Sequence, residues 1–284
     1  MNNILVTGGN GQLGSELKEL APNYPEYNFL FTNVSDLDIT DHSSVEEFIE
    51  SNNINVIINC AAYTAVDKAE TELELADIIN HLAVANIAQM AKVKNIKLIH
   101  ISTDYVFDGT NFKPYVETDA PNPQSVYGKT KLDGELAMRQ INPANSIIIR
   151  TSWVYSKFGN NFVKTILRLA ETRDEISVVS DQIGSPTNAA DLGQVILMIL
   201  PKIQNKTVEV FHYTNEGVCS WYDFAVAILE NKGINIKLTP VLSQSYPTLA
   251  ERPLNSALSK NKIKLKFKIS IPNWEDSFSN QFKN

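Results

Sequence analysis

A short apolar run, Asn3-Ile4-Leu5-Val6-Thr7, passes directly into Gly8-Gly9-Asn10-Gly11-Gln12-Leu13-Gly14 and then into a segment of helical periodicity. Few features narrow a fold as much. Glycines at 8, 11 and 14 allow a tight turn and let backbone approach an anion, while the start of the following helix offers unpaired amides and a partial positive charge. Strand, glycine turn and helix in this order are the context that a dinucleotide fingerprint requires, which marks a candidate pyrophosphate site. The same glycines would also serve a purely structural turn, and their spacing is G-x-x-G-x-x-G rather than the commoner G-x-G-x-x-G.

The rest of the first half repeats the rhythm. Strands are expected at residues 3–7, 28–31, 56–60, 97–102 and 146–150, rich in Val, Ile and Leu as strands covered on both faces are. Between them lie helical patterns at 12–20, 44–50, about 73–93 and 127–140, the second opening with Ser44 and Glu47 spaced as a capping box. Alternation of this kind predicts an α/β fold with a parallel sheet and right-handed crossovers. From about Trp153 the loops lengthen and shorter helices follow at 162–170, 190–200 and 220–230. The expected division is a nucleotide-binding unit over 1–152, its core completed by later segments, and a mainly substrate-binding lobe over 153–284. Residues 114–124, rich in Pro and Asn, read as a surface loop.

Composition sets the outer limits. With 284 residues the chain can build a full core, and a formal charge of -7 argues against a broad nucleic-acid or anionic-membrane surface. No apolar run reaches the length of a bilayer span and no apolar leader precedes the first strand, so a cytoplasmic protein is expected. Cys60 and Cys219 are then expected as reduced, buried thiols. His42, His81, His100 and His212 show no metal-ligand spacing.

Chemistry enters with Tyr127 and Lys131 in Val126-Tyr127-Gly128-Lys129-Thr130-Lys131. On a helix, residues four apart share a face, so the Lys131 ammonium is expected near the Tyr127 phenol. A neighbouring cation favours phenolate and lowers a tyrosine's titration toward neutrality, as a general acid or base requires. Alone the pair is weak, since a packed tyrosine and a solvated lysine have the same spacing; beside the glycine turn it points to hydride chemistry. The second strand ends at Phe31-Thr32-Asn33 without the acid that binds ribose hydroxyls or the arginine that binds a 2′-phosphate, which leaves NADH and NADPH both open. Small residues at Ala61-Ala62 let a flat cofactor lie against the third strand's end.

These segments together resemble the extended short-chain dehydrogenase/reductase superfamily and, within it, the dTDP-4-dehydrorhamnose reductases. The resemblance rests on the glycine turn, Ala61-Ala62-Tyr63-Thr64-Ala65-Val66-Asp67, Ser102-Thr103-Asp104-Tyr105, Tyr127-x-x-x-Lys131, Arg150-Thr151-Ser152-Trp153, Gly159-Asn160-Asn161-Phe162 and Arg252-Pro253-Leu254-Asn255-Ser256. It implies a Rossmann-type doubly wound parallel sheet, NADH or NADPH as cofactor, and a nucleotide-linked 4-keto-6-deoxysugar as substrate of a monomer or homodimer. By the same resemblance Tyr127 is the proton donor, Lys131 its partner at the nicotinamide ribose, and Thr103 a donor to the substrate carbonyl. Gly8, Asn10, Gly11, Gln12, Leu13 and Gly14 surround the pyrophosphate, and Asp38, Ile39, Ala61, Ala62 and Tyr63 follow the rest of the cofactor. Asp104, Trp153 and Arg252 are implied at the substrate. For the glutamate-held magnesium of some members, Glu16 matches one ligand, but Ala189-Ala190-Asp191 supplies no second glutamate, and no metal is expected.

Two rivals share the scaffold. A 4,6-dehydratase carries a glutamate after its Thr-Asp pair, where this chain has Tyr105, a poor substitute for that base; a 4-epimerase would retain bound NAD. A non-catalytic, cofactor-binding regulatory subunit has no need of Thr103, Tyr127 and Lys131 together.

Overall fold

In the computed structural model, which describes residues 2–283, six strands form one fully parallel sheet. Across it run Glu209–His212, Ile147–Thr151, Lys97–Thr103, Ile54–Asn59, Asn2–Thr7 and Tyr27–Thr32. Chain order therefore reverses between the first strand and the third. In a doubly wound sheet that reversal opens a crevice at the carboxyl ends, because the crossover helices on either side leave in opposite directions.

Both faces of the sheet are covered, which is why its strands are apolar throughout. On one face Ile4, Val6, Ile58 and Ile149 pack with Leu13 and Leu17 of Gln12–Leu20 and with Leu192 and Ile196 of Ala189–Ile199. On the other, Leu5, Ile57, Leu98 and Ile148 meet Ile49, Val84, Ile87 and Met138. The helix Ala189–Ile199 and the strand Glu209–His212 both come from the second half of the chain. The strand escaped the sequence reading because four residues give no measurable alternation. A separate cluster, with Tyr155, Val163, Ile166, Phe224, Ile228, Trp274 and Phe278, forms the lobe.

The five expected strands and the helices at 12–20 and 162–170 lie where periodicity placed them. The capping box of the second helix does not. His42–Ser51 begins two residues earlier, with Asp41 accepting from the amides of Ser43 and Ser44 and from the Ser44 hydroxyl, while Glu47 faces solvent. An aspartate at the N-cap outcompetes a serine three residues on because its two oxygens serve both amides and the hydroxyl. The expected helix over 73–93 is continuous but changes winding, with a π segment over Ile78–Leu82 between Leu73–Asp77 and Ala83–Val93.

The π segment lies against the helix Val126–Ile141, which carries Tyr127 and Lys131. Gly134 makes the approach possible: a Cβ there would sit 2.2 Å from the Asn80 carbonyl oxygen. At Gly128 a Cβ would sit 2.2 Å from the Tyr105 carbonyl oxygen. Two glycines thus let this helix lie on backbone at both ends of its buried face. Alanine at 134 would add about 1 kcal/mol of helix propensity, but a backbone clash of this size forces a shift typically costing ~1–3 kcal/mol, so the clash wins. Gly134→Ala should lower the urea midpoint without changing the slope of unfolding, whereas a rise in midpoint would show that the two helices are not in backbone contact.

Candidate functional site

The crevice predicted by the strand order is a cleft of about 710 Å³. Its first wall is the glycine turn. Gly8 has φ +66°, and a Cβ on it would lie 2.8 Å from the Ala61 amide nitrogen; at Gly14 it would lie 2.4 Å from the Gly8 carbonyl oxygen. The turn is therefore pressed against both the third strand's end and its own helix. Gly11 caps that helix with no side-chain hydrogen bond, so the leading amides face the cleft without a competing side chain. The second wall, over residues 33–40, includes Asn33, Val34, Asp38 and Ile39, and the floor is laid by Cys60, Ala61, Ala62, Ile101 and Ser102.

Of the residues singled out from sequence, Gly8, Asn10, Gly11, Gln12, Leu13, Asp38, Ile39, Ala61, Ala62, Thr103, Asp104, Tyr127, Lys131 and Trp153 all line this one cleft. Gly14, Tyr63 and Arg252 lie outside its lining. Gly14 is buried behind the turn, where it serves the close packing of helix on strand. Tyr63 is pinned by exchange of backbone hydrogen bonds with the Asn80 side chain, and its hydroxyl donates to Glu72 at 2.5 Å. Arg252 forms a two-pronged pair with Asp67, at 3.0 and 2.7 Å.

Thr103 ends the fourth strand. Its hydroxyl accepts from the Tyr105 amide at 3.2 Å and donates to Asp104 at 3.0 Å, fixing the turn into the following short helix. Burial pushes the Asp104 carboxyl up to about 6. Tyr127 follows Ser125, whose side chain caps the helix by accepting from the Gly128 amide. Its ring stands edge-on to Tyr105 at 5.4 Å between centroids.

Tyr127 is shifted upward rather than downward, and the cause is its own desolvation. Protein atoms crowd the half-exposed phenol, and desolvation pushes it up to about 12, against the pull of the Thr103 hydroxyl. Lys131 is fully buried and donates to the Ile101 carbonyl at 2.7 Å; burial brings it down to about 8, despite Glu135. Spacing on a helix sets which face a lysine leaves from, and a four-carbon chain then reaches whichever acceptor is nearest.

Trp153 is neither plain core nor plain surface. Its backbone is left-handed at φ +50°, which a bulky residue adopts only when its surroundings enforce it. The indole stacks on Trp221 at 3.6 Å and 12° and is backed by Gly184, where a Cβ would fall 2.6 Å from the ring. The residue thus braced lines the cleft from the lobe side. Trp221 and the loop residues Gly159 and Asn160 were given no role from sequence, although Gly159-Asn160-Asn161 was visible as a segment. Asn161 donates to Gln12 at 3.0 Å, and Gln12 to the Val154 carbonyl at 3.3 Å, which ties the glycine turn to the lobe. Glu16 accepts from Ser156 at 2.6 Å and from Gln281 at 2.9 Å. Cys60 and Cys219 are free thiols.

The titration of Tyr127 is directly observable. Ultraviolet difference spectra between the unliganded protein and Tyr127→Phe should show no phenolate from this residue below about pH 10, its ordinary value; a midpoint near neutrality would contradict the burial of the phenol.

Residues 1–284 match the family described as RmlD substrate binding domain. The chain is 44% identical to the dTDP-4-dehydrorhamnose reductase of Aggregatibacter actinomycetemcomitans, covering 99% of this chain and 98% of that one. Among solved structures, the dTDP-4-dehydrorhamnose reductase of Clostridium acetobutylicum is 43% identical with a TM-score of 0.93, covering 98% of each chain. That of Bacillus anthracis, solved in complex with NADP, is 39% identical with a TM-score of 0.94 and 99% coverage of each. With a family match along the whole chain and relatives this similar end to end, the chain belongs to the dTDP-4-dehydrorhamnose reductase family.

Proposed function

We propose that the protein reduces the 4-keto group of dTDP-4-dehydro-L-rhamnose to give dTDP-L-rhamnose, using NADH or NADPH. The observation that carries this reading is the convergence of a glycine cradle, Thr103, Tyr127, Lys131 and the braced Trp153 on one cleft. The cradle fits a dinucleotide: added Cβ atoms at Gly8 and Gly14 would meet backbone, and the uncapped helix start leaves amides for a pyrophosphate. Gly8, Asn10, Gly11, Gln12 and Leu13 would hold it there, with Asp38, Ile39, Ala61, Ala62 and Tyr63 along its two arms. The cofactor supplies a hydride to C4 of the sugar.

The chain's own groups handle the charge that hydride transfer creates. Thr103 and Tyr127 hydrogen-bond the carbonyl oxygen as it becomes an alkoxide, an interaction that strengthens toward the transition state. Tyr127 then gives that oxygen its proton. Burial that keeps the phenol protonated suits reduction, because the acid must be loaded before the hydride arrives. Lys131, drawn from the Ile101 carbonyl toward the phenol, stabilises the phenolate left behind. Trp153 offers an apolar face to the deoxysugar and an indole N–H for one hydroxyl. Asp104 binds at the sugar, and Arg252 exchanges Asp67 for the nucleotide diphosphate.

We take residues 1–152, completed by the helix Ala189–Ile199 and the strand Glu209–His212, as the cofactor half, and most of the remainder as the sugar lobe. No helix among the described residues is long and apolar enough to cross a membrane. The acidic chain with free thiols suits the cytoplasm.

The test supplies dTDP-4-dehydro-L-rhamnose with NADPH and, separately, with NADH, follows nicotinamide absorbance and identifies the product. Both cofactors should be oxidised, with a preference below ~1000-fold, or ~4 kcal/mol, since Thr32 and Asn33 neither repel nor bind a 2′-phosphate. Tyr127→Phe should lose ~100-fold or more in turnover while keeping cofactor affinity. Failure to reduce this sugar, or a phenylalanine variant with most of its activity, would overturn the reading.

A further inference from the structure

Beside the cleft, one carboxylate is held by more donors than an ordinary surface ion pair has. Asp67, on the short helix Val66–Ala69, accepts from both terminal nitrogens of Arg252, at 3.0 and 2.7 Å, and from the Ala250 amide at 3.1 Å. The Leu249 amide is a further donor, and Arg252 together with these amides holds the Asp67 carboxyl below its usual range. All of the donors come from one stretch of the second half of the chain. The place borders the site: Thr64 and Val66, just before Asp67, line the cleft, and Tyr105, which also lines it, feels the charge of both Arg252 and Asp67.

A guanidinium fork beside two consecutive backbone amides is an arrangement that recognises phosphate. The fork gives two parallel N–H bonds, and successive amides form a concave nest for negative charge. Nothing in it is specific to a carboxylate. Asp67 is also free to leave. Its side chain and that of Arg252 are 41% and 24% exposed, so water takes over the carboxylate when the fork lets go. Between Tyr246 and Arg252 only Ala250 is buried, which leaves the donor stretch lightly packed.

We propose that Asp67 is an internal stand-in for phosphate: in the unliganded protein its carboxylate fills an anion site made by Arg252 and the amides of Leu249 and Ala250, and the diphosphate of a sugar nucleotide displaces it. This rests on the reading of the substrate as nucleotide-linked. The device makes the site selective. A carboxylate on the same chain competes at an effective concentration of about millimolar or more, so a dilute lone anion loses to it. A ligand gripped also by its base and sugar does not. Only molecules in which Asp67 has let go accept the ligand, and the apparent affinity is reduced by that fraction.

The test is calorimetric binding of dTDP to the full chain, with thymidine, which lacks the diphosphate, as the control. Asp67→Ala empties the site, and dTDP should bind about fivefold more tightly, the upper range for release of a partly exposed ion pair. Thymidine should bind as it does to the parent. Asp67→Asn, which keeps an acceptor for the Ala250 amide but gives up the charge, should shift dTDP in the same direction, and Arg252→Gln should weaken it. Unchanged or weaker dTDP binding in the two Asp67 variants would overturn the proposal and leave Asp67 as a strut that positions Arg252. Parent-like dTDP binding by Arg252→Gln would also overturn it, by taking the arginine away from the phosphates. An unaltered protein that binds no dTDP would bring down the nucleotide-sugar reading and the proposal together, whereas one that reduces the keto-sugar while its Asp67 variants bind dTDP no more tightly would sink the proposal alone.

Discussion

The position of the Tyr127 helix depends on one buried ion pair. Arg150, in the fifth strand, makes three hydrogen bonds to Glu135 at 2.9, 3.1 and 2.6 Å, with the two side chains 1% and 0% exposed. Ser102 of the fourth strand donates to the same carboxylate, and the guanidinium lies 5.1 Å from the Phe107 ring. Helix, fourth strand and fifth strand are thereby locked in one register. Burying two charges is costly, and the attraction between them repays this only with saturated geometry. Its consequence here is placement: Lys131 lies one turn before Glu135 and Tyr127 two turns before it, so fixing the carboxylate sets where both meet the cleft.

Low dielectric then does most of the chemical tuning. Tyr127 and Cys60 are each pushed up to about 12, and Lys131 falls to about 8. All three shifts favour the neutral form, as desolvation requires. For the proposed reduction this is the useful direction for Tyr127 and Cys60, because the phenol keeps its proton and the thiol stays inert.

Local signals were legible where backbone and periodicity decide the outcome. The glycine turn, the five strands and the Tyr127-x-x-x-Lys131 spacing could be read because turn geometry and helical pitch act over a few residues. Residues that depend on distant parts of the chain were not. Trp221 matters only because it stacks on Trp153, Asn161 because it reaches Gln12, and the strand Glu209–His212 because the fifth strand offers it an edge. Tyr63 and Arg252 were assigned by resemblance alone; their hydrogen bonds to Glu72 and Asn80 and to Asp67 come from segments far from the glycine turn. The upward shift at Tyr127 was out of reach for the same reason, since desolvation is a property of packing and spacing does not report it.

The dependence of the site on the Glu135–Arg150 pair is measured most directly by urea unfolding of Arg150→Met beside Glu135→Leu/Arg150→Met. The single variant strands a carboxylate in the core and should lose about 3–5 kcal/mol of stability, most of which the apolar double variant should recover. A single variant within ~0.5 kcal/mol of the parent, the range of an ordinary surface change, would contradict the claim that this pair holds the Tyr127 helix in place.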